Sequence, residues 1–257
     1  MSNEEGLLRY IAAGGKLDAP ENASPRYRGE LMRLMAVFVD SEMAGASGFA
    51  DCINMAPGLR QRQIAARIVA EKLGHAEQVL RIMETFGART DRYATLHPWE
   101  KRLQRGIDLG TKRADGDMRL NVFHYPIMTW VDSVTMNTLM GHASVIQLDD
   151  LTRCSYQPLA DAMTGILAAE ARHASLGQAG LCEALARGGA ERAQASVDYW
   201  FPRVVASFGR TGSDHFDAYK KYGLREHSNE ELLSRWKTVV TGVLHELDLM
   251  VPQCASS

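Results

Sequence analysis

The segment Glu170-Ala-Arg-His173 places a carboxylate and an imidazole three residues apart, which puts both on one face of an α-helix. An earlier segment, Lys72-Leu-Gly-His75, has the same spacing with a lysine in place of the carboxylate. Two inward-facing Glu-x-x-His helices are the means by which some four-helix bundles hold a pair of iron or manganese ions. One complete copy and one altered copy therefore predict a bundle of this kind whose metal centre is lost or remodelled.

Hydrophobic residues recur at helical spacing around both segments and predict four long core helices. The first begins at Ser24-Pro25, the second after Pro57-Gly58, the third runs from about Pro126 to Arg153, and the fourth starts at Pro158. A long crossover of residues 86–120 joins the middle two, and no stretch alternates as a strand would. We therefore expect one all-α domain with a ferritin-like four-helix bundle and additional C-terminal helices. Its parts are an irregular N-terminal arm (1–24), the core bundle (25–180) and the C-terminal helices (190–250, with helices over 190–207 and 229–249).

Five polar residues fall on the inward faces of these helices, where the pattern otherwise requires hydrophobic residues: Glu42, Lys72, His75, Glu170 and His173. One such residue alone is explained by a misjudged helical register or by a structural ion pair. Together they predict a functional centre or its remnant, because a buried carboxylate needs a positive partner. The candidate catalytic residues are Lys72, Glu42 and Glu170. The candidate metal ligands, as an incomplete set, are Glu42, His75, Glu170 and His173.

Two further polar residues have less specific interpretations. Glu71 lies about 100° around the second helix from Lys72, so we expect it to face a neighbouring helix or solvent. Which of the two faces the centre stays open at this point. His142 follows Gly141 on the third helix, and we expect a packed or interfacial histidine there.

The composition is that of an ordinary globular protein, with 257 residues, 46% of them hydrophobic. A formal net charge of -2 gives no indication of nucleic-acid binding or of an anionic membrane partner. The four cysteines are widely spaced and form no CxxC motif, which favours reduced thiols over a disulfide framework. The acidic N-terminus has no apolar core of a secretory signal, and no run of about 18 apolar residues predicts a membrane span. We therefore expect a cytoplasmic protein.

From about Tyr27 to Pro252 the chain resembles the PaaA/PaaC family of phenylacetic acid catabolism proteins, the large subunits of phenylacetyl-CoA epoxidase, with benzoyl-CoA epoxidase as a relative. Each motif is moderately specific, and their order and spacing together are more so. The stretches that carry the resemblance are Asp40–Gly45, Ala66–His75, Leu148–Leu159, Ile166–His173, Phe201–Arg203, Tyr222–Arg225 and Asn229–Leu233.

The resemblance implies the fold of a di-iron oxygenase, and for the family's catalytic members an activity on aryl-CoA thioesters. The family's centre takes a carboxylate from the first core helix, Glu-x-x-His from the second, a carboxylate from the third and Glu-x-x-His from the fourth. Lys72 stands at the second-helix carboxylate and Gly141 at the third-helix carboxylate, so two of six ligands are missing. The ligands that carry over are Glu42, His75, Glu170 and His173. Because Gly141 has no side chain, Lys72→Glu with Gly141→Glu is expected to rebuild the set, unless the neighbouring core fills the space.

Charge weighs against two metal ions in this chain. Glu42 and Glu170 supply two negative charges, Lys72 supplies a positive one, and one protonated histidine neutralises the rest. Two ferrous ions would leave a strongly positive centre in a low-dielectric core. We expect fewer than two irons per chain, and none if Lys72 fills the site. One divalent ion on Glu42, His75 and Glu170 stays open if the lysine swings away or loses its proton.

The first hypothesis is therefore an atypical or non-catalytic subunit of a phenylacetyl-CoA-epoxidase-like oxygenase, as either a homodimer or a heterodimer with a PaaA/PaaC-like subunit. The alternative is an active metal-dependent oxygenase with a reduced ligand set, supplied with electrons by a separate reductase. A third hypothesis is a CoA-ester binding or scaffold protein. Iron storage is the least favoured, because the third-helix carboxylate is absent.

Overall fold

The computed structural model describes residues 3–112, 114, 116–210, 212 and 214–253. Within these residues the chain forms eight α-helices and no strand, so the all-α prediction is confirmed. The helices are α1 (Asn3–Ala12), α2 (Pro25–Cys52), α3 (Leu59–Thr85), α4 (Trp130–Leu151), α5 (Gln157–Ala186), α6 (Ala190–Ser207), α7 (Asp214–Lys221) and α8 (Asn229–Glu246).

The four core helices begin close to the predicted positions. Ser24 caps α2 by accepting a hydrogen bond from the Tyr27 amide, with Pro25 in the first turn. α4 begins later than expected, because Thr129 rather than Pro126 provides the cap and accepts from the amide of Asp132. These caps satisfy backbone donors that have no partner inside the helix.

The helices α2 to α5 pack as a four-helix bundle, in which α4 lies closest to α5 and α2 to α3. Glycine allows the close approach of α4 and α5: a Cβ atom added at Gly177 would lie 2.7 Å from the amide nitrogen of Thr138. α6 and α8 pack on the outer side of α4, where the side chains of Trp200 and Trp236 are fully buried. The bundle interior therefore receives the inward faces of α2, α3, α4 and α5.

The sequence-based prediction was wrong about part of the N-terminal arm. Residues 3–12 of the expected irregular segment 1–24 form α1, whose Leu7, Leu8 and Ile11 pack against the core. α7 was also not predicted, and its Tyr219 is buried in the same core. Both helices are short, so tertiary packing stabilises them more than local propensity does. No helix among the described residues is long and apolar enough to span a bilayer.

Candidate functional site

A buried lysine lies at the centre of the bundle, between two buried carboxylates. The Nζ atom of Lys72 is 3.0 Å from Oε1 of Glu42 and 3.0 Å from Oε1 of Glu170, and it donates a hydrogen bond to each. The three side chains come from α3, α2 and α5, and are 6%, 7% and 2% exposed. The structure thus directs Lys72, rather than Glu71, into the centre.

Two histidines complete the group, each with its Nδ1 atom towards the carboxylates. Nδ1 of His75 lies 3.1 Å from Oε2 of Glu42 and 3.4 Å from Oε1 of Glu170. Nδ1 of His173 lies 3.0 Å from Oε1 of Glu170. All five polar residues predicted from the helical faces are therefore brought together.

Glu71 has a contact that the sequence pattern did not indicate. Its Oε2 atom lies 2.6 Å from Nε2 of His173, and its Oε1 accepts a hydrogen bond from Arg172 at 3.0 Å. Glu71 therefore faces the neighbouring helix α5, which is one of the two orientations expected from the sequence. A carboxylate on the outer nitrogen of an imidazole fixes the orientation of the ring. Glu71 therefore holds the Nδ1 atom of His173 towards the centre.

The ionisation of the centre follows from these contacts. Burial lowers the pKa of Lys72, but the charges of Glu170 and Glu42 outweigh it and raise this pKa above its ordinary value. Burial raises the pKa of Glu170, but the charge of Lys72 and hydrogen bonds from both histidines hold it well below its usual range. For His75, burial is outweighed by hydrogen bonds to Glu170 and Glu42, which raise its pKa to about 9. Lys72, Glu170 and His75 are therefore all ionised near neutral pH.

Space for the lysine stem comes from a glycine on α2. A Cβ atom added at Gly45 would lie 3.6 Å from Cδ of Lys72 and 3.1 Å from the ring of Phe123. The aliphatic part of Lys72 thus packs against Gly45 while its ammonium group reaches the carboxylates. Helical pattern alone gave no signal for this arrangement.

Gly141 does not face open space. A Cβ atom added there would lie 2.9 Å from both Cα and Cβ of Ala174, closer than real Cβ contacts allow. Of the two alternatives for a carboxylate at this position, the structure supports the one in which the neighbouring core fills the space, because Ala174 of α5 occupies it. His142, beside it, is half-buried, and burial lowers its pKa. This agrees with a packed histidine outside the centre.

The donor set fits one metal ion only in part, and it does not fit two. One ligand atom each from Glu42, His75 and Glu170 lies within 4.8 Å of the others, a spacing that a single ion could use. The ammonium group of Lys72 already contacts both carboxylates, so an ion would have to displace it. The third-helix position, Gly141, supplies no ligand atom.

A second acidic cluster, around Asp150, is already neutralised by basic side chains. Its Oδ1 lies 2.6 Å from Nδ1 of His227, and its Oδ2 lies 3.4 Å from Nε of Arg225. Arg153 contacts both Asp150 and Glu226. This cluster ties the loop before α8 to the end of α4.

A cavity of about 320 Å³ adjoins the polar centre. Buried Glu42 and exposed Arg33 both line it, so the cavity extends from the centre towards the surface. Its apolar side chains include Leu34, Phe38, Phe123, Met140 and Leu148. Basic side chains of Arg33, His215 and Arg225 also line it. It suits a ligand with an apolar part and an anionic part.

Comparison with known proteins identifies the family of this chain. The model of the family described as "Phenylacetic acid catabolic protein" matches residues 16–256. The chain is 26% identical over 259 aligned residues to one subunit of the 1,2-phenylacetyl-CoA epoxidase of Escherichia coli (strain K12), an alignment that covers 98% of this chain and 78% of that protein. The chain therefore belongs to the PaaA/PaaC family of phenylacetic acid catabolic proteins, whose fold is the ferritin-like helical bundle.

Proposed function

We propose that this chain is a subunit of a multicomponent oxygenase related to phenylacetyl-CoA epoxidase, in which a buried ion-pair centre replaces the two-metal centre. The observation that carries the proposal is the position of the Lys72 ammonium group, 3.0 Å from a carboxylate oxygen of Glu42 and of Glu170. The similarity to an epoxidase subunit supports the oxygenase part of the proposal.

Charge balance supports a centre without two metals. The carboxylates of Glu42 and Glu170 carry two negative charges, while Lys72 and protonated His75, whose pKa is about 9, carry two positive charges. The centre is then neutral, and two divalent ions would add four positive charges to a buried site. We therefore propose a structural or ligand-binding role rather than an oxidative one. We also propose that the chain is a single domain and that the protein is cytoplasmic.

The cavity supports a ligand role for this subunit. Aryl-CoA thioesters combine an apolar acyl group with a phosphorylated tail. The apolar lining near Phe123 and Met140 suits the former, and exposed Arg33 suits the latter, since Arg225 is already paired with Asp150. We propose that the cavity holds such a thioester without oxidising it.

The second candidate function is an active oxygenase with one metal ion. It is favoured by the convergence of Glu42, His75 and Glu170 within 4.8 Å. In this form the ion, when bound, supplies oxygen activation, and a reductase supplies electrons. Glu71 then orients His173 beside the site through its contact with Nε2.

Iron content distinguishes the two candidates. We expect the protein, purified anaerobically and reconstituted with ferrous iron, to retain well below one iron per chain after desalting, as measured by elemental analysis. The physical reason is the lysine that occupies the carboxylate oxygens. About one iron per chain that disappears in His75→Ala would favour the oxygenase candidate. Two tightly bound irons with a coupled spectroscopic signature would contradict both.

Assembly tests the subunit role. We propose that the chain forms a homodimer or pairs with a PaaA/PaaC-like subunit, because the E. coli relative is one subunit of an epoxidase. Light scattering is expected to give a mass of at least two chains, alone or after co-expression with a homologue that carries all six metal ligands. A mass of 28.4 kDa in both preparations would exclude this role.

A further inference from the structure

One side of the cavity is formed by a short stretch of the crossover between α3 and α4. We call residues 116–124 the wall segment; its Leu120, Asn121 and Phe123 line the cavity. Only its last four residues form a helical turn, the 3₁₀ turn Asn121–His124. Contacts with other elements therefore determine where this segment lies.

Two adjacent side chains of α2 hold the wall segment. The Met118 amide donates to Oδ2 of Asp40 at 2.5 Å, and the Leu120 amide donates to Oγ of Ser41 at 3.0 Å. The hydroxyl group of Tyr93, from earlier in the crossover, donates to the other oxygen of Asp40. The Ser41 hydroxyl itself donates to the carbonyl of Val37, which leaves its oxygen lone pairs for the wall segment.

The same stretch of α2 also holds the ion-pair centre. Glu42, the next residue, contacts Lys72 and His75. Three residues further along, Gly45 lies between the ring of Phe123 and the stem of Lys72. One helical segment, residues 40–45, thus contacts the cavity wall and the buried centre at once.

Asp40 and Ser41 are buried, 2% and 7% exposed, and accept hydrogen bonds from two amides of the wall segment. A backbone donor in a segment with little regular structure depends on such partners. Loss of one partner is therefore expected to loosen the wall segment locally. The side chains of Asp117 and Arg119 pair with each other at 2.7 Å and keep the remainder of the segment folded.

We propose that Asp40 and Ser41 are positioning residues for ligand binding, which fix the wall segment against α2 and so set the shape of the cavity. The identity of the ligand rests on the function proposed above, whereas the positioning of the wall segment does not. Ser41 also lines the cavity, whereas Asp40 contacts the wall segment from behind and acts on the cavity through it.

Hydrogen exchange of the full-length chain tests the positioning role. In Asp40→Ala, which removes both acceptor oxygens, peptides covering 116–124 are expected to exchange about tenfold faster. Ser41→Ala is expected to have a smaller effect in the same peptides, and Ser41→Thr to restore protection. Peptides from α6 and α8 are expected to be unchanged. Equal acceleration throughout the chain, or none in 116–124, would overturn the proposal.

Binding of phenylacetyl-CoA, measured by calorimetry, tests the ligand part. Asp40→Ala is expected to weaken binding about tenfold through the altered cavity wall. Asp91→Ala is the matched control, because Asp91 is an exposed carboxylate of the same crossover whose ion pair is with Arg89. Faster exchange with unchanged affinity would overturn the ligand part. If the native protein binds no phenylacetyl-CoA, the proposed ligand role fails, and the exchange pattern still decides the positioning of the wall.

Discussion

Lys72→Met is expected to lower the free energy of unfolding by about 3–5 kcal/mol, because it leaves two buried carboxylates without the cation between them. Both Glu42 and Glu170 lie 3.0 Å from the ammonium group that the substitution removes. Methionine fills the volume of the lysine stem against Gly45. The loss of stability therefore measures the effect of removing the charge rather than the effect of a cavity. The measurement is urea denaturation of native and variant protein under identical buffer conditions.

Two further variants make this result specific. Lys237→Met changes an exposed lysine on α8 and is expected to alter stability by no more than about 0.5 kcal/mol. Adding Glu170→Gln to Lys72→Met removes one of the unpaired charges, and the double variant is expected to be more stable than Lys72→Met alone. If Lys72→Met unfolds at the same urea concentration as native protein, the lysine does not hold the centre together. The ion-pair proposal would then be withdrawn.

Gly141→Glu is expected to destabilise the chain by more than about 4 kcal/mol, since it combines overpacking with a newly buried charge. The added Cβ atom would meet Cα and Cβ of Ala174, each at 2.9 Å. Gly141→Ala, which adds the Cβ alone, is expected to cost about 1–3 kcal/mol. Thermal and urea unfolding measure both effects.

Glycine variants elsewhere provide the controls for this prediction. Gly165→Ala, on α5, places a Cβ with nothing within 4 Å and is expected to stabilise the helix by up to about 1 kcal/mol. Ala174→Gly is expected to recover part of the loss in Gly141→Ala, because it removes one of the two clashing atoms. Native-like stability of Gly141→Ala would show that α4 and α5 can separate. Restoring ligands through Lys72→Glu with Gly141→Glu would then become realistic, whereas the structure predicts a poorly folded product.

Local pattern determined most of the fold and the members of the centre. Periodic hydrophobic residues with Ser24-Pro25 at one helix start predicted the core helices, and the spacing of Glu170 and His173 placed both on one buried face. These predictions succeed because a helix has a fixed rotation per residue, so spacing alone gives the face. The short helices α1 and α7 were not predicted, because so few residues contain little more than two helical turns, and the contacts of Leu7 and Tyr219 with distant elements cannot be read from local spacing.

Distances between helices were decided by the tertiary structure. The sequence placed Lys72 on an inward face, but only the approach of α2, α3 and α5 brings its ammonium group to both carboxylates. The same applies to Glu71, whose contact with His173 depends on where α5 lies. The sequence alone shows that Gly141 supplies no ligand. The obstacle to a larger side chain at this position, the backbone of Ala174, is seen only in the tertiary structure. Spacing along one helix gives direction, whereas separation between helices depends on the packing of all their side chains together.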